Sequence, residues 1–325
     1  MRTLILIAGV LIGALGVDRH AVAQAQQSRY PERPIRFIVP FAPGGGADIV
    51  GRVIAQRMSE VLRQQVVVDN RGGGGGIIGA EIAARAVPDG YTLIMVSAGY
   101  AISPSLHKLP YDVVNDITAI ALIGTASFVI VVNSAYPARN VNELIAIAKA
   151  KPGALNFGSS GTGGITHLAT ELFKLMAGVD MTHIPYKGNG PALTDLLGGQ
   201  IQLIFLTSPV VGPHVQSGKL RALAVSGRER IATLPNVPTV AESGLRGYEA
   251  MTWFAVWGPK GLPKDVVGRW NSEINRIIQT PEMNDRFAQD GLKATPGTPE
   301  AFVAVLRRDV ERWRDVVKRT NVKAE

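Results

Sequence analysis

The sequence predicts an α/β protein of two domains, each a mainly parallel sheet flanked by helices. Three features predict it. Short β-branched runs alternate with segments of helical period along most of the chain, the pattern of a parallel sheet covered by helices. Two glycine loops, Phe41 to Asp48 and Ser159 to Gly164, each lie between the end of a strand and the start of a helix. A late strand, Met251 to Gly258, follows a proline-rich segment, as it would where the chain returns to a domain it had left. The expected boundaries are a leader at 1–25, one domain at 26–123 plus 251–325, and a second at 124–250.

In order, Ile35 to Pro40 is apolar and β-branched and reads as a buried strand. Ile49, Val50, Val53, Ile54, Met58, Val61 and Leu62 then recur at helical spacing. Gly44, Gly45 and Gly46 between them let a ligand approach the backbone, where the first unpaired helix amides favour an anion. The same loop also fits a tight turn in which Asp48 caps the helix. Gln65 to Asp69 is a strand, Gly72 to Gly76 an unbroken glycine run, and Ile77 to Ala83 the start of a helix leading to the strand Tyr91 to Val96. Gly74 to Gly79 satisfies G-x-G-x-x-G, but Met95, Val96 and Ser97 stand where a dinucleotide fold wants an acidic residue. A dinucleotide site is rejected on that ground.

Ser97, Ala98, Gly99 and Tyr100 form a small-residue loop at the carboxyl end of this strand, where open α/β sheets place ligands. Pro104 to Asp116 reads as irregular. Ile117 to Gly124 and Ser127 to Asn133 read as two strands separated by a small-residue break, the crossing into the second domain. There, Val141 to Ala150 is a helix, Leu155 to Gly158 a strand and Ile165 to Ala177 an amphipathic helix. Hydroxyls accompany the backbone donors in the glycine loop between the last two. The strand Met181 to Tyr186, the helix Pro191 to Leu197, the strand Ile201 to Phe205, a loop at Leu206 to Pro209, the helix Val210 to Ser217 and the strand Leu220 to Val225 complete it. Helices at Pro263 to Thr280 and Pro299 to Val317 wrap the first domain.

The amino terminus carries Met1-Arg2, an apolar run from Leu4 to Val17, and the small-residue motif Ala21-Val22-Ala23. That is a secretory leader, with cleavage expected near Ala23 or Ala25 and a periplasmic product. The leader's apolar run is too short to span a bilayer, and no other stretch is apolar and long enough. With no cysteine there is no disulfide framework and no thiol nucleophile. The net charge of +8 lacks the dense basic runs with interleaved aromatics that nucleic acid requires, so no nucleic-acid partner is expected. A modest attraction for anionic solutes is compatible with it. A monomer is expected.

Two function classes remain. An exported hydrolase would draw on Ser97, Ser159 or Ser160 with His107, His167, His183 or His214, but no G-x-S-x-G elbow exists. His167 falls inside a helix, where a supporting hydrogen bond suits it better than a general-base role, and His183 sits among apolar residues. No histidine spacing fits zinc, so neither metal nor cofactor is expected. The other class is reversible binding of a small carboxylate. Ser97, Tyr100, Thr162, Tyr186, Lys187 and Thr207 offer hydroxyls and one cation, a set suited to a di- or hydroxycarboxylate more than to an amino acid, whose ammonium would need an acceptor.

The ordered motifs Tyr30-Pro31-x-Arg33-Pro34-Ile35, Val39-Pro40-Phe41-x-Pro43-Gly44-Gly45-x-x-Asp48, Asn70-Arg71, Pro88-Asp89-Gly90-Tyr91-Thr92-Leu93 and Leu109-Pro110-Tyr111-Asp112 cover the first domain. Gly158-Ser159-Ser160-Gly161-Thr162-Gly163, Pro185-Tyr186-Lys187-Gly188, Gly218 to Val225 and Leu234-Pro235-x-Val237-Pro238-Thr239 cover the second. Together they resemble the Bug family, the periplasmic solute receptors of tripartite tricarboxylate transporters. The resemblance implies a two-domain periplasmic-binding-protein fold, type II-like, with two crossing strands and the ligand closed in the cleft. It implies a ligand carboxylate held at Phe41, Pro43, Gly44, Gly45 and Asp48, partly through water, faced by Ser159, Ser160 and Thr162. With Ser97, Ala98, His167, Tyr186, Lys187 and Thr207 these make up the expected ligand-binding set. The implied partners are two integral membrane subunits. The chain departs from the family in its unbroken Gly72 to Gly76 run and in Phe205-Leu206-Thr207, where many members have a polar Phe-Asp-Asn run.

Overall fold

The computed structural model describes residues 30–289 and 291–323; the expected leader and its cleavage near Ala23 or Ala25 lie outside the described residues. The first lobe begins β1 (Ile35–Val39), α1 (Gly46–Leu62), β2 (Val66–Asn70), α2 (Ile77–Ala84) and β3 (Thr92–Ser97), with α3 (Ser103–Leu106) a single turn after it. β1 lies between β2 and β3 and is parallel to both. Four of its five residues are buried and apolar; the exception, half-buried Arg36, pairs with Asp69 of β2.

β4 (Ile117–Asn133) is one continuous strand of seventeen residues. The small-residue stretch that reads in sequence as a break between two strands does not interrupt it. Register shifts against β9 (Met251–Pro259), between Ala119 and Ala121 and between Leu122 and Gly124, bend the strand without ending it. Its amino-terminal part pairs antiparallel with β9, and Gly124 to Ala126 also pair with a short strand near the carboxyl end. Its carboxyl-terminal part, Phe128 to Asn133, pairs antiparallel with the two strands that flank it in the second lobe. A single strand thus belongs to both sheets.

The second lobe runs α4 (Val141–Ala150), β5 (Asn156–Ser159), α5 (Ile165–Ala177), β6 (Thr182–Pro185), α6 (Asn189–Leu197), β7 (Leu203–Thr207), α7 (Ser208–Gln216) and β8 (Leu220–Val225). β5 is parallel to β6 and β7, repeating the parallel core of the first lobe, and β4 stands between β7 and β8. The Asn140 side chain caps α4 by accepting from the Glu143 amide, and Gly178 ends α5 in the left-handed region. Two local readings change. α6 starts two residues early, at Asn189, and no loop separates β7 from α7, because Thr207 is at once the last strand residue and the helix N-cap. The chain then returns by β9 and closes with α8 (Lys264–Ile278), α9 (Pro281–Gln289), β10 (Leu292–Ala294) and α10 (Pro299–Thr320). α9 and β10 carry no strong sequence signal; β10 is three residues long and is held by pairing with β4.

The two crossing strands are locked to each other where they leave the first lobe. Ser226, fully buried, accepts the Phe128 amide at 2.8 Å on its hydroxyl, which in turn donates to the Ala250 carbonyl at 2.5 Å. Its own amide donates to the Phe128 carbonyl at 2.8 Å, and its carbonyl accepts from the Ala250 amide at 2.9 Å. A buried core passes continuously through this junction, from Ile94 and Trp257 to Phe157 and Phe173.

Replacing Ser226 by alanine strands one buried amide and one buried carbonyl. Unfolding in urea is expected to show a loss of about 1–3 kcal/mol; a loss below about 0.5 kcal/mol would show that the junction does not depend on this hydroxyl.

Candidate functional site

The first loop is held from behind. Asp48, the third residue of α1 and 4% exposed, turns its carboxylate back on the loop. Oδ2 accepts the Gly44 amide and the Arg52 guanidinium, each at 3.0 Å, and Oδ1 accepts Asn70 Nδ2 at 2.9 Å. Asn70 Nδ2 also donates to the Phe41 carbonyl, and Arg52 donates to Asn70 Oδ1. Burial alone would raise the Asp48 pKa; the Arg52, Gly44 and Asn70 donors outweigh it and hold the carboxyl below its ordinary range. Asp48 is therefore not the N-cap, which is Gly45. Its charge is spent on the loop.

The second loop is held by a stack of rings. Ser159, fully buried, accepts the Gly161 amide at 3.1 Å and lies 2.6 Å from His183 Nε2. The His183 ring stacks on His167 at a centroid distance of 3.8 Å, and His167 Nδ1 accepts the Gly163 amide at 3.1 Å. Further out, Glu171 pairs with Lys174. Burial, then the neighbouring His183 and Lys174 charges, lower the His167 pKa to about 3; burial and then Lys174 lower that of His183 to about 4. Both rings are neutral at neutral pH. On the cleft side, the Ser160 amide donates to Thr166 Oγ1 at 2.9 Å.

The lobes meet backbone to backbone. The Ala42 amide donates to the Lys187 carbonyl at 2.9 Å across the cleft. A methyl carbon placed on Gly190 would lie 2.0 Å from the Pro43 carbonyl oxygen, one on Gly72 2.6 Å from the Lys187 carbonyl oxygen, and one on Gly75 2.6 Å from that of Thr162. Real side chains do not tolerate such approaches, so closure depends on bare α-carbons in both lobes. Within the glycine run, Gly72 and Gly75 make this contact; the glycines of the G-x-G-x-x-G spacing, Gly74, Gly76 and Gly79, face Ile77, Phe41 and Pro40 of their own lobe.

Between the lobes lies a small cavity of about 30 Å³. Four helix N-termini open on it: Gly45 and Gly46 of α1, Ile165 of α5, Asn189 of α6 and Thr207, the N-cap of α7. Ser97, Ser160 and Thr252 add hydroxyls, and Phe41, Phe128 and Phe254 supply an apolar wall. No charged side chain lines it among the described residues. Each helix terminus carries about half a positive elementary charge, so four together balance roughly two negative ones.

Of the expected ligand-binding set, Phe41, Gly45, Ser97, Ser160 and Thr207 line this cavity. Pro43 and Gly44 lie in the closing contact with Gly190. Asp48, Ser159 and His167 are behind the loops, and Ala98 is in the core. Thr162 sits at the contact with Gly75. Tyr186 points away, donating to Asp195 at 2.7 Å, and Lys187 contributes its carbonyl while its side chain is exposed. Tyr100 likewise donates to the Val113 carbonyl. Gly46, one of the three glycines marked in the first loop, also lines it, whereas Ala47, Ile165, Asn189, Phe128, Thr252 and Phe254 were not singled out from the sequence. The first three of these adjoin predicted helix starts; the last three come from the crossing strands, where nothing in the local pattern marks them.

The chain matches the family model described as "Tripartite tricarboxylate transporter family receptor" over residues 50–322. Three solved structures are similar to it. The periplasmic binding protein BugD is 36% identical, with 91% of this chain and 100% of that one covered and a TM-score of 0.88. R. palustris Rpa4515 with adipate is 34% identical, covering 90% and 99%, with a TM-score of 0.87. MatC (Rpa3494) from Rhodopseudomonas palustris with bound malate is 29% identical, covering 89% and 100%, with a TM-score of 0.85.

Two outcomes are expected. Gly190→Ala introduces a better helix former, so its cost is confined to closure; Tm should hold while ligand affinity falls at least about tenfold, and small-angle scattering should show no compaction on titration. Wild-type compaction in this variant would refute the contact. For pH, the folded His167 and His183 pKa values lie below the unfolded value of about 6.5, so the unfolded chain gains protons first as pH falls. Stability is complete above about 6.5 and should drop by about 2 kcal/mol per histidine between pH 7.5 and 5. Urea titrations of wild type and His167→Gln measure it, the variant showing the shallower dependence; a flat wild-type profile would contradict it.

Proposed function

The chain belongs to the tripartite tricarboxylate transporter receptor family, whose members are periplasmic solute-binding receptors and not enzymes, and from that premise we propose that it binds a small dicarboxylate between its lobes. The observation that carries this reading is the convergence of four helix N-termini on a cavity whose described lining residues include no charged side chain. Unpaired helix amides bind carboxylate oxygens without a counter-ion, and two such groups at opposite ends of a short ligand match the summed dipole charge. The aromatic wall takes the ligand's apolar spacer. An amino acid is disfavoured because its ammonium would find no anion there, the Asp48 carboxylate being spent on Gly44, Arg52 and Asn70.

In this reading Phe41, Gly45, Ser97, Ser160 and Thr207 touch the ligand, together with Gly46, Ile165 and Asn189. Asp48, Ser159 and His167 keep the loops in shape. The lobes are residues 26–123 plus 251–325 and residues 124–250, hinged at the crossing strands. The chain is exported by its leader, acts as a monomer in the periplasm, and delivers its ligand to a carrier of two integral membrane subunits. The adipate of Rpa4515 and the malate of MatC support the dicarboxylate class. The rival, an exported hydrolase, has no support in the geometry: Ser159 and His183 meet behind the second loop and neither lines the cavity.

A thermal-shift screen of mono-, di- and tricarboxylates beside aspartate tests the proposal. At a hundredfold excess over Kd a ligand stabilises by about 2.7 kcal/mol, so a cognate dicarboxylate should raise Tm by several degrees. Absence of a shift with every carboxylate would sink it, and a larger shift with aspartate would return the Asp48 charge to the cleft.

A further inference from the structure

Resting on the dicarboxylate reading of this cavity, we infer that Asn189 and Thr207 form a subsite for a hydroxyl group on the ligand, and that the preferred ligand is a hydroxy-substituted dicarboxylate. Asn189 opens α6 and lines the cavity. Its amide oxygen is buried and has no hydrogen-bond partner. Thr207, at the end of β7, is 4% exposed, and its hydroxyl is likewise buried without a partner. Both belong to the second lobe, opposite the Gly45 and Gly46 backbone of the first.

The Thr207 hydroxyl could donate to any carboxylate, but the Asn189 amide oxygen asks for something a plain dicarboxylate does not have. A carboxylate oxygen only accepts, and the helix amides around the cavity already supply donors for it. The Asn189 amide oxygen also only accepts, so pairing it requires a donor on the ligand. An ammonium would serve as a donor, but it brings a charge that no described side chain lining the cavity balances. A hydroxyl has no such cost. It donates to Asn189 Oδ1 and accepts from the Thr207 hydroxyl, satisfying both orphans at once. A site built to pair a hydroxyl discriminates strongly against the analogue that lacks it, because the protein groups are then left buried and unpaired.

Calorimetric titration of the full mature chain with malate, both enantiomers separately, beside succinate tests this. One malate enantiomer should bind roughly ten- to a hundredfold more tightly than succinate. Asn189→Ala and, separately, the isosteric Thr207→Val should bring malate affinity close to that of succinate, with succinate changing less than about threefold. Equal wild-type affinity for succinate and malate would overturn the hydroxyl subsite and leave the dicarboxylate reading standing. An equal loss of both ligands in the two variants would likewise overturn it, showing that the residues only shape the closed cleft. Binding of neither ligand to wild type would overturn the dicarboxylate reading and the subsite with it.

Discussion

The contact on which this structure depends is the approach of one lobe's backbone to the other's. The Ala42 amide reaches the Lys187 carbonyl because Gly72 has no side chain to stand between them, and Pro43 meets Gly190 for the same reason. A contact of this kind has little tolerance. A methyl group at any of several glycines holds the lobes apart by an ångström or more, and a hydrogen bond does not survive that displacement. Closure also removes water from a space bounded by helix amides, where each dipole then acts through a lower dielectric. The same glycines that permit contact are what give the cavity its electrostatic strength.

Charge is managed by exclusion. The Asp48 carboxylate is turned back from the cleft, paired with Arg52 and hydrogen-bonded by Asn70. The two histidines behind the second loop are stacked and neutral; His167 accepts the Gly163 amide and His183 pairs with the Ser159 hydroxyl. What remains facing the cavity is neutral polarity with a net positive bias from four helix ends. An anion is attracted, and its selectivity rests on neutral hydrogen bonds and on shape. For a carboxylate receptor this has a physical merit: a fully desolvated ion pair is hard to dissociate, whereas amide donors exchange readily for water when the lobes part.

The junction of the crossing strands supplies the other half of the design. β4 belongs to both sheets, and Ser226 ties it to the start of β9. Phe128 stands at this junction and also in the cavity wall. One ring thus belongs both to the cavity wall and to the strand shared by the two sheets.

Local pattern in the sequence was enough to read the alternation of strands and helices, the parallel cores, and both glycine loops. Those features follow from short-range physics: the burial period of a strand, the period of a helix, and the freedom of glycine. The order of its motifs was enough for the family. Tertiary structure alone decided which loop residues face the cavity. Asp48, Ser159 and Tyr186 carry the right chemistry at the right place in the chain, yet each spends its polar atoms on a neighbour brought near by folding. Phe128, Thr252 and Phe254 reach the cavity from strands whose own pattern says only that they are buried. It also decided that Ile117 to Asn133 is one strand, since the partners that carry it through Gly124, β9 and β10, lie more than a hundred residues further along the chain. Direction within a loop and continuity of a strand are set by long-range partners, and a single sequence does not record which partners will arrive.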